Sequence, residues 1–87
     1  MVSQKVMIQN PTGLHLRLAG ILCKEAMKYQ SRITFKFKEH VFNAKSVLSV
    51  LGAGVKNGYE LEFICEGEDE KEALNAIVAI IENGLGE

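Results

Sequence analysis

Tryptophan is absent from this chain, and proline occurs once, at Pro11. There is no Pro-, Gly- or Ser-rich stretch to serve as a linker and no internal repeat. The 87 residues therefore read as one domain, residues 1–87, within the usual span of about 50–200. Cysteine is scarce: Cys23 and Cys65 occur without CxxC or Cys/His ligand spacing, so neither a metal nor a cofactor is expected. No sign of charge dominates. A net charge of -1 argues against direct nucleic-acid binding, which needs clustered Lys and Arg. No apolar run approaches the roughly 20 residues needed to insert into a membrane. Residues 1–9 are too short and polar for a secretory leader. These absences lead us to expect a cytoplasmic protein.

What is present is an ordinary globular composition, 47% hydrophobic and 24% charged, with local periodicities that can be read in turn. A chain this short buries only about 60–65% of its unfolded surface, so a shallow surface site is expected rather than an enclosed one. Residues 2–9 read as a strand, Val6 and Ile8 alternating with Lys5 and Gln9. Asn10-Pro11-Thr12-Gly13 is turn chemistry. A helix is expected over residues 16–29, where Ala19, Leu22, Cys23 and Ala26 share one face and Leu18 and Met27 widen it. Lys24 and Lys28 suit the negative pole at its end. Residues 32–38 alternate as a half-buried strand, with Ile33, Phe35 and Phe37 facing inward. A short strand follows over 40–43. Residues 46–52 read as a short helix with Ser46 as N-cap and Gly52 just past its end. Asn57-Gly58 marks a turn. Residues 59–66 read as a strand with Leu61, Phe63 and Cys65 inward. Asp69-x-x-Glu72 has the form of a capping box opening a last helix to Asn83, with Ala73, Ile77, Ile80 and Ile81 on one face, Leu74 and Val78 beside them, and Gly84 closing it. Cys23 and Cys65 read as small buried hydrophobes, and His40 as a solvated residue at a hairpin.

The order is β-α-β-β-α-β-α. Alternating strands give one buried sheet face, and three amphipathic helices need such a face. The expected fold is therefore α+β: a four-stranded antiparallel sheet covered on one face by three helices, an open-faced sandwich.

His15 falls between a glycine turn and a helical pattern, at or near an N-cap. The first amides of a helix lack internal acceptors, and the dipole places positive potential there. That pole disfavours a protonated imidazole. It would favour a phosphoryl dianion carried by the ring. Arg17 can add a forked guanidinium to the same phosphate. These groups suffice for reversible phosphoryl transfer between proteins. They do not suffice for hydrolysis, because no base or metal to activate water is evident. A phosphotransfer protein is expected rather than a free-standing enzyme.

The run Asn10-Pro11-Thr12-Gly13-Leu14-His15-Leu16-Arg17-x-Ala19 resembles the active-site signature of the HPr family, the histidine phosphocarriers of the bacterial phosphoenolpyruvate:sugar phosphotransferase system. The likeness extends along nearly the whole chain. It includes Asn43-Ala44-Lys45-Ser46 before the short helix and Glu66-Gly67-Glu68-Asp69-Glu70 before the last one. The resemblance implies phosphorylation of His15 at Nδ1 by enzyme I using phosphoenolpyruvate, and onward transfer to IIA domains of sugar transporters. It implies that Ser46 matches the serine phosphorylated by HPr kinase/phosphorylase in Gram-positive-type members. It makes Leu16, Val47, Leu48 and Leu51 the partner-docking patch, and a catabolite-control transcription factor a further partner. The chain departs from the family where Leu18 replaces the usual Pro, and at Gly20. A regulatory, Crh-like role in catabolite repression is the alternative within the family, though Crh lacks the active histidine that is present here. A ferredoxin-like interaction domain without phosphotransfer is the alternative outside it.

Overall fold

A computed structural model describes residues 1–86. Strand β1 (Val2–Met7) leads through the histidine loop to helix α1 (Leu16–Ala26). The hairpin of β2 (Arg32–Phe37) and β3 (His40–Asn43) follows, then α2 (Val47–Ala53), β4 (Glu60–Glu66) and α3 (Glu70–Glu82). A 3-10 turn at Gly84–Gly86 completes the described chain. The strands form one antiparallel sheet in the order β1-β4-β2-β3. α3 packs over β1 and β4, α2 lies against β3, and α1 packs against both other helices. The open-faced arrangement expected from the sequence is the one observed.

Strand alternation explains which face is covered. Val6, Ile33, Phe35, Phe37, Leu61, Phe63 and Cys65 are all buried beneath the helices. The rings of Phe35 and Phe63 sit with centroids 5.3 Å apart. Burying each such side chain stabilises the fold by roughly 1.5–3 kcal/mol. On the open face, Lys5 and Lys36 both stand opposite Glu62 in register, a favourable cross-strand charge arrangement. Cys23 and Cys65 are buried free thiols. Burial pushes both thiol pKa values up, which makes them poor nucleophiles.

Several expected boundaries shift. α1 ends at Ala26, and Met27 is 65% exposed rather than part of the apolar face. Met27 lies eleven residues after Leu16, about three full turns, so it shares the exposed stripe of Leu16. α2 runs through Gly52 to Ala53 and closes at Gly54, whose φ of 67° is left-handed. The left-handed step therefore falls two residues later than Gly52. Asp69 does occupy the N-cap of α3, but its side chain makes no cap hydrogen bond. Its carboxylate instead accepts from the amides of Gln30 and Ser31, each at 2.9 Å, and from the Ser31 hydroxyl. The competing donors lie in the turn just before β2, which the sequence pattern could not place beside it. The hairpin turns through Lys38 and Glu39, both at positive φ, as a primed two-residue turn requires.

Candidate functional site

The histidine loop is built from backbone outward. Ile8 continues β1 by donating to the Tyr59 carbonyl at 2.9 Å, and its carbonyl accepts from Gly58 at 2.7 Å. The chain then leaves the sheet. The Gly13 amide donates to the Asn10 carbonyl at 2.9 Å, closing a turn over residues 10–13. Gly13 has φ +70°, and a Cβ there would stand 2.5 Å from the Val55 oxygen and 2.8 Å from Lys56 Cα. Only glycine satisfies both the dihedral and the space. The tight approach is fixed by the next residue: the Leu14 amide donates to the Val55 carbonyl at 3.0 Å. From the other side, Asn10 Nδ2 donates to the Gly84 carbonyl at 2.8 Å. The loop is thus held by the segment after α2 and by the C-terminal turn.

That frame delivers His15 as the N-cap of α1, in extended backbone conformation, with its carbonyl accepting the first helical bond from Ala19 at 2.8 Å. The side chain does not cap the helix, and the first turn carries no acidic residue. His15 is half-buried, and Leu16 and Arg17, the first two residues of α1, are exposed. The sequence placed His15 at or near the cap, and the structure puts it there. Arg17 follows on the same first turn. An imidazole at the N-cap, a first turn without acidic residues and an exposed Arg17 within that turn are the parts from which a surface anion site could be built.

Ser46 is the N-cap of α2, its hydroxyl accepting from the Ser49 amide at 3.2 Å. α1 and α2 pack together, but it is the C-terminal side of α2, through Val55, that touches the histidine loop. Ser46 lies at the other end of that seven-residue helix, which is about 10 Å long at 1.5 Å per residue. Leu16 and Leu48 project outward at 66% and 83% exposed, while Val47 and Leu51 are half-buried against the core. Leu18 is fully buried, so it lies under the helix and not in that exposed patch. His40 is exposed in β3, beside Phe42.

Three features of the loop escaped the sequence reading: the Val55 carbonyl, the space restriction at Gly13 and the long-range reach of Asn10. Gly13 could have been suspected from its turn. The other two involve backbone carbonyls, which no residue type advertises. Among the described residues no helix is long and apolar enough to cross a membrane.

Residues 2–83 match the family described as "PTS HPr component phosphorylation site". The chain is 40% identical over 83 residues to a multiphosphoryl transfer protein of Haemophilus influenzae, a match covering 92% of this chain and 17% of that protein. The chain thus spans about a sixth of this longer relative. It is 37% identical over 79 residues to the phosphocarrier protein HPr of Mycoplasma pneumoniae, covering 90% of each. Among solved structures, HPr-C-His from Thermoanaerobacter tengcongensis superposes with a TM-score of 0.96 at 37% identity, covering 100% of this chain and 98% of the other.

Proposed function

This chain belongs to the HPr family of phosphocarriers, and on that premise we propose that it carries a phosphoryl group on His15 from enzyme I to IIA domains of sugar transporters. The observation that carries the reading is the placement of His15 at the N-cap of a helix whose first turn holds no acidic residue and does hold Arg17. In the tautomer with its proton on Nε2, the Nδ1 lone pair attacks the phosphorus presented by enzyme I. The P–N bond to His15 forms as the bond from phosphorus to the donor group breaks, and the donor keeps that electron pair. Onward transfer to a IIA group is the same displacement with His15 as leaving group. The α1 amides and Arg17 stabilise the phosphoryl oxygens throughout.

Leu16 and Leu48, with Val47 and Leu51 beside them, form the docking patch of this reading. A phosphate on Ser46 would place about two negative charges beside that patch, at a helix start that tolerates them locally. HPr kinase/phosphorylase would add it, and a catabolite-control transcription factor is the partner it would serve. Ser46 caps the end of α2 opposite the one that leads to Val55 and the histidine loop, so in this reading its charge acts on docking rather than on the imidazole. His15 is the feature that favours an active carrier over a purely regulatory, Crh-like role. A cytoplasmic setting suits both donor and acceptors.

Incubation with phosphoenolpyruvate and enzyme I should add the mass of one phosphate, mapped to His15. His15→Ala should abolish the gain while leaving thermal unfolding unchanged. A gain that persists in the variant, or that moves to His40, would reject the assignment.

A further inference from the structure

We infer that Asn10 is a positioning residue for His15: its buried amide hangs the histidine loop on the C-terminal turn, making residues 84–86 part of the frame of the site. The inference rests on the phosphocarrier reading. Asn10 is 2% exposed, and among the described residues it and Ser31 are the buried polar side chains. A buried amide is costly unless hydrogen-bonded, and Nδ2 meets the Gly84 carbonyl at 2.8 Å across 74 residues of sequence. The same residue supplies the carbonyl that closes the turn onto Gly13. Asn10 therefore joins the C-terminal turn to the first of the contacts that lead through Gly13 and Leu14 to the His15 cap.

The acceptor is itself held firmly. Gly84 has φ +72° and Leu85 φ +55°, and the Leu85 side chain is fully buried. This turn packs against α1 as well as α3. A left-handed leucine persists only where its surroundings fix it, so Gly84 presents its carbonyl from a rigid platform. Asn10 grips that platform with a neutral group. An Asp in its place would offer no donor to the carbonyl, and it would bury a negative charge against it. Phosphoryl transfer depends on in-line approach, and a misplacement of about 1 Å can cost on the order of 100-fold in rate. Loss of the amide should therefore act on the chemical step, while the docking patch of Leu16 and Leu48 is left as it was.

The test is steady-state transfer from enzyme I to wild type and Asn10→Ala, each also in a Glu39→Gly background. Glu39 sits at φ 65° in the β2–β3 hairpin, outside the site, and glycine there relieves a left-handed residue. This background offsets lost stability and keeps the Asn10 variant folded. The expected result is a kcat lower by roughly 10- to 100-fold, an unchanged KM for enzyme I, and a defect that persists when Glu39→Gly restores the melting temperature. An unchanged kcat overturns the inference. So does a rate that returns with stability, or a loss carried in KM alone. If wild type itself takes up no phosphate, the phosphocarrier reading falls and this inference with it.

Discussion

α1 and α3 both expose a helix N-terminus, and the chain finishes the two in opposite ways. At α3 the cap is Asp69, and the first turn carries Glu70 and Glu72. The positive pole of that helix is met by the protein's own carboxylates, and the Glu70 side chain also accepts from the Gly67 amide at 3.2 Å. At α1 the cap is His15 and the first turn has no acidic residue: Leu16 and Leu18 stand where α3 has Glu70 and Glu72, while Arg17 stands where α3 also has a cation, Lys71. A helix pole is better suited to an incoming anion where its own first turn supplies no acid. The clamps behind the two poles follow the same division. Near α3 a carboxylate gathers donors from Gln30 and Ser31. Near α1 the neutral amide of Asn10 does the tying.

The comparison can be broken most severely by giving α1 the charge of α3. Arg17→Ala removes a charge-assisted hydrogen bond, on the order of 1–3 kcal/mol, and should slow transfer by about 10- to 100-fold. Arg17→Glu should be slower still, because it answers the pole with a fixed anion. Equal rates for Arg17→Ala and wild type in single-turnover labelling would make Arg17 a bystander.

The first turn of α1 also differs in what lies beneath it. Family resemblance alone favours Pro at position 18, which would fix φ in a first-turn site without losing a helical bond. The structure reverses the expected sign, because Leu18 is fully buried. Leu18→Pro should destabilise by about 2–3 kcal/mol, as for other truncations of buried leucine. Thermal unfolding unchanged or raised in this variant would show that the side chain contributes little packing.

At the other pole, the hydrogen bond from the Ser31 hydroxyl, followed by that from the Gln30 amide, holds the Asp69 carboxyl below its ordinary value. A group with a lowered native pKa contributes stability that is present above its unfolded value, near 3.9, and is lost as pH falls through the native one. Asp69→Asn should melt lower than wild type at neutral pH and show a shallower decline as the solution is acidified below about pH 4. Parallel melting curves against pH would reject Asp69 as a source of the acid sensitivity. No such slope is expected from the Asn10 clamp.

The smallest effect should be Gly20→Ala. A Cβ at Gly20 meets nothing within 4 Å, so replacing a helix-interior glycine should add about 1 kcal/mol of stability. A decrease measured by urea unfolding would mean that α1 needs freedom at this point.

Much of this contrast was legible in sequence. Strand faces were readable because alternation is set by the pleat, and Ile33, Phe35 and Phe37 on the buried face follow from it directly. His15 was legible as a cap because a glycine turn and an apolar period meet there. Helix ends were less so: the short helix reads as stopping at Gly52, whereas the left-handed step falls at Gly54, since the periodicity of so short a helix does not say which glycine ends it. The sequence also offered Asp69 as an ordinary cap, since local pattern cannot tell that Ser31, 38 residues away, competes for its carboxylate. Asn10 read as a turn former for the same reason, its partner lying at the far end of the chain.

The strand order has a kinetic consequence. β2 and β3 are joined by a two-residue turn, whereas β1 pairs only with β4, Val6 opposite Leu61. Closing the longer loop costs more chain entropy and slows the pairing that depends on it. Pulse-labelled hydrogen exchange during refolding should protect β2 and β3 before β1. The histidine loop hangs between β1 and the C-terminal turn, so it takes shape only when the two extremities of the chain have met. A nascent or stalled chain would then display its sheet without its chemistry, and competence to receive phosphate becomes a signal that folding is finished.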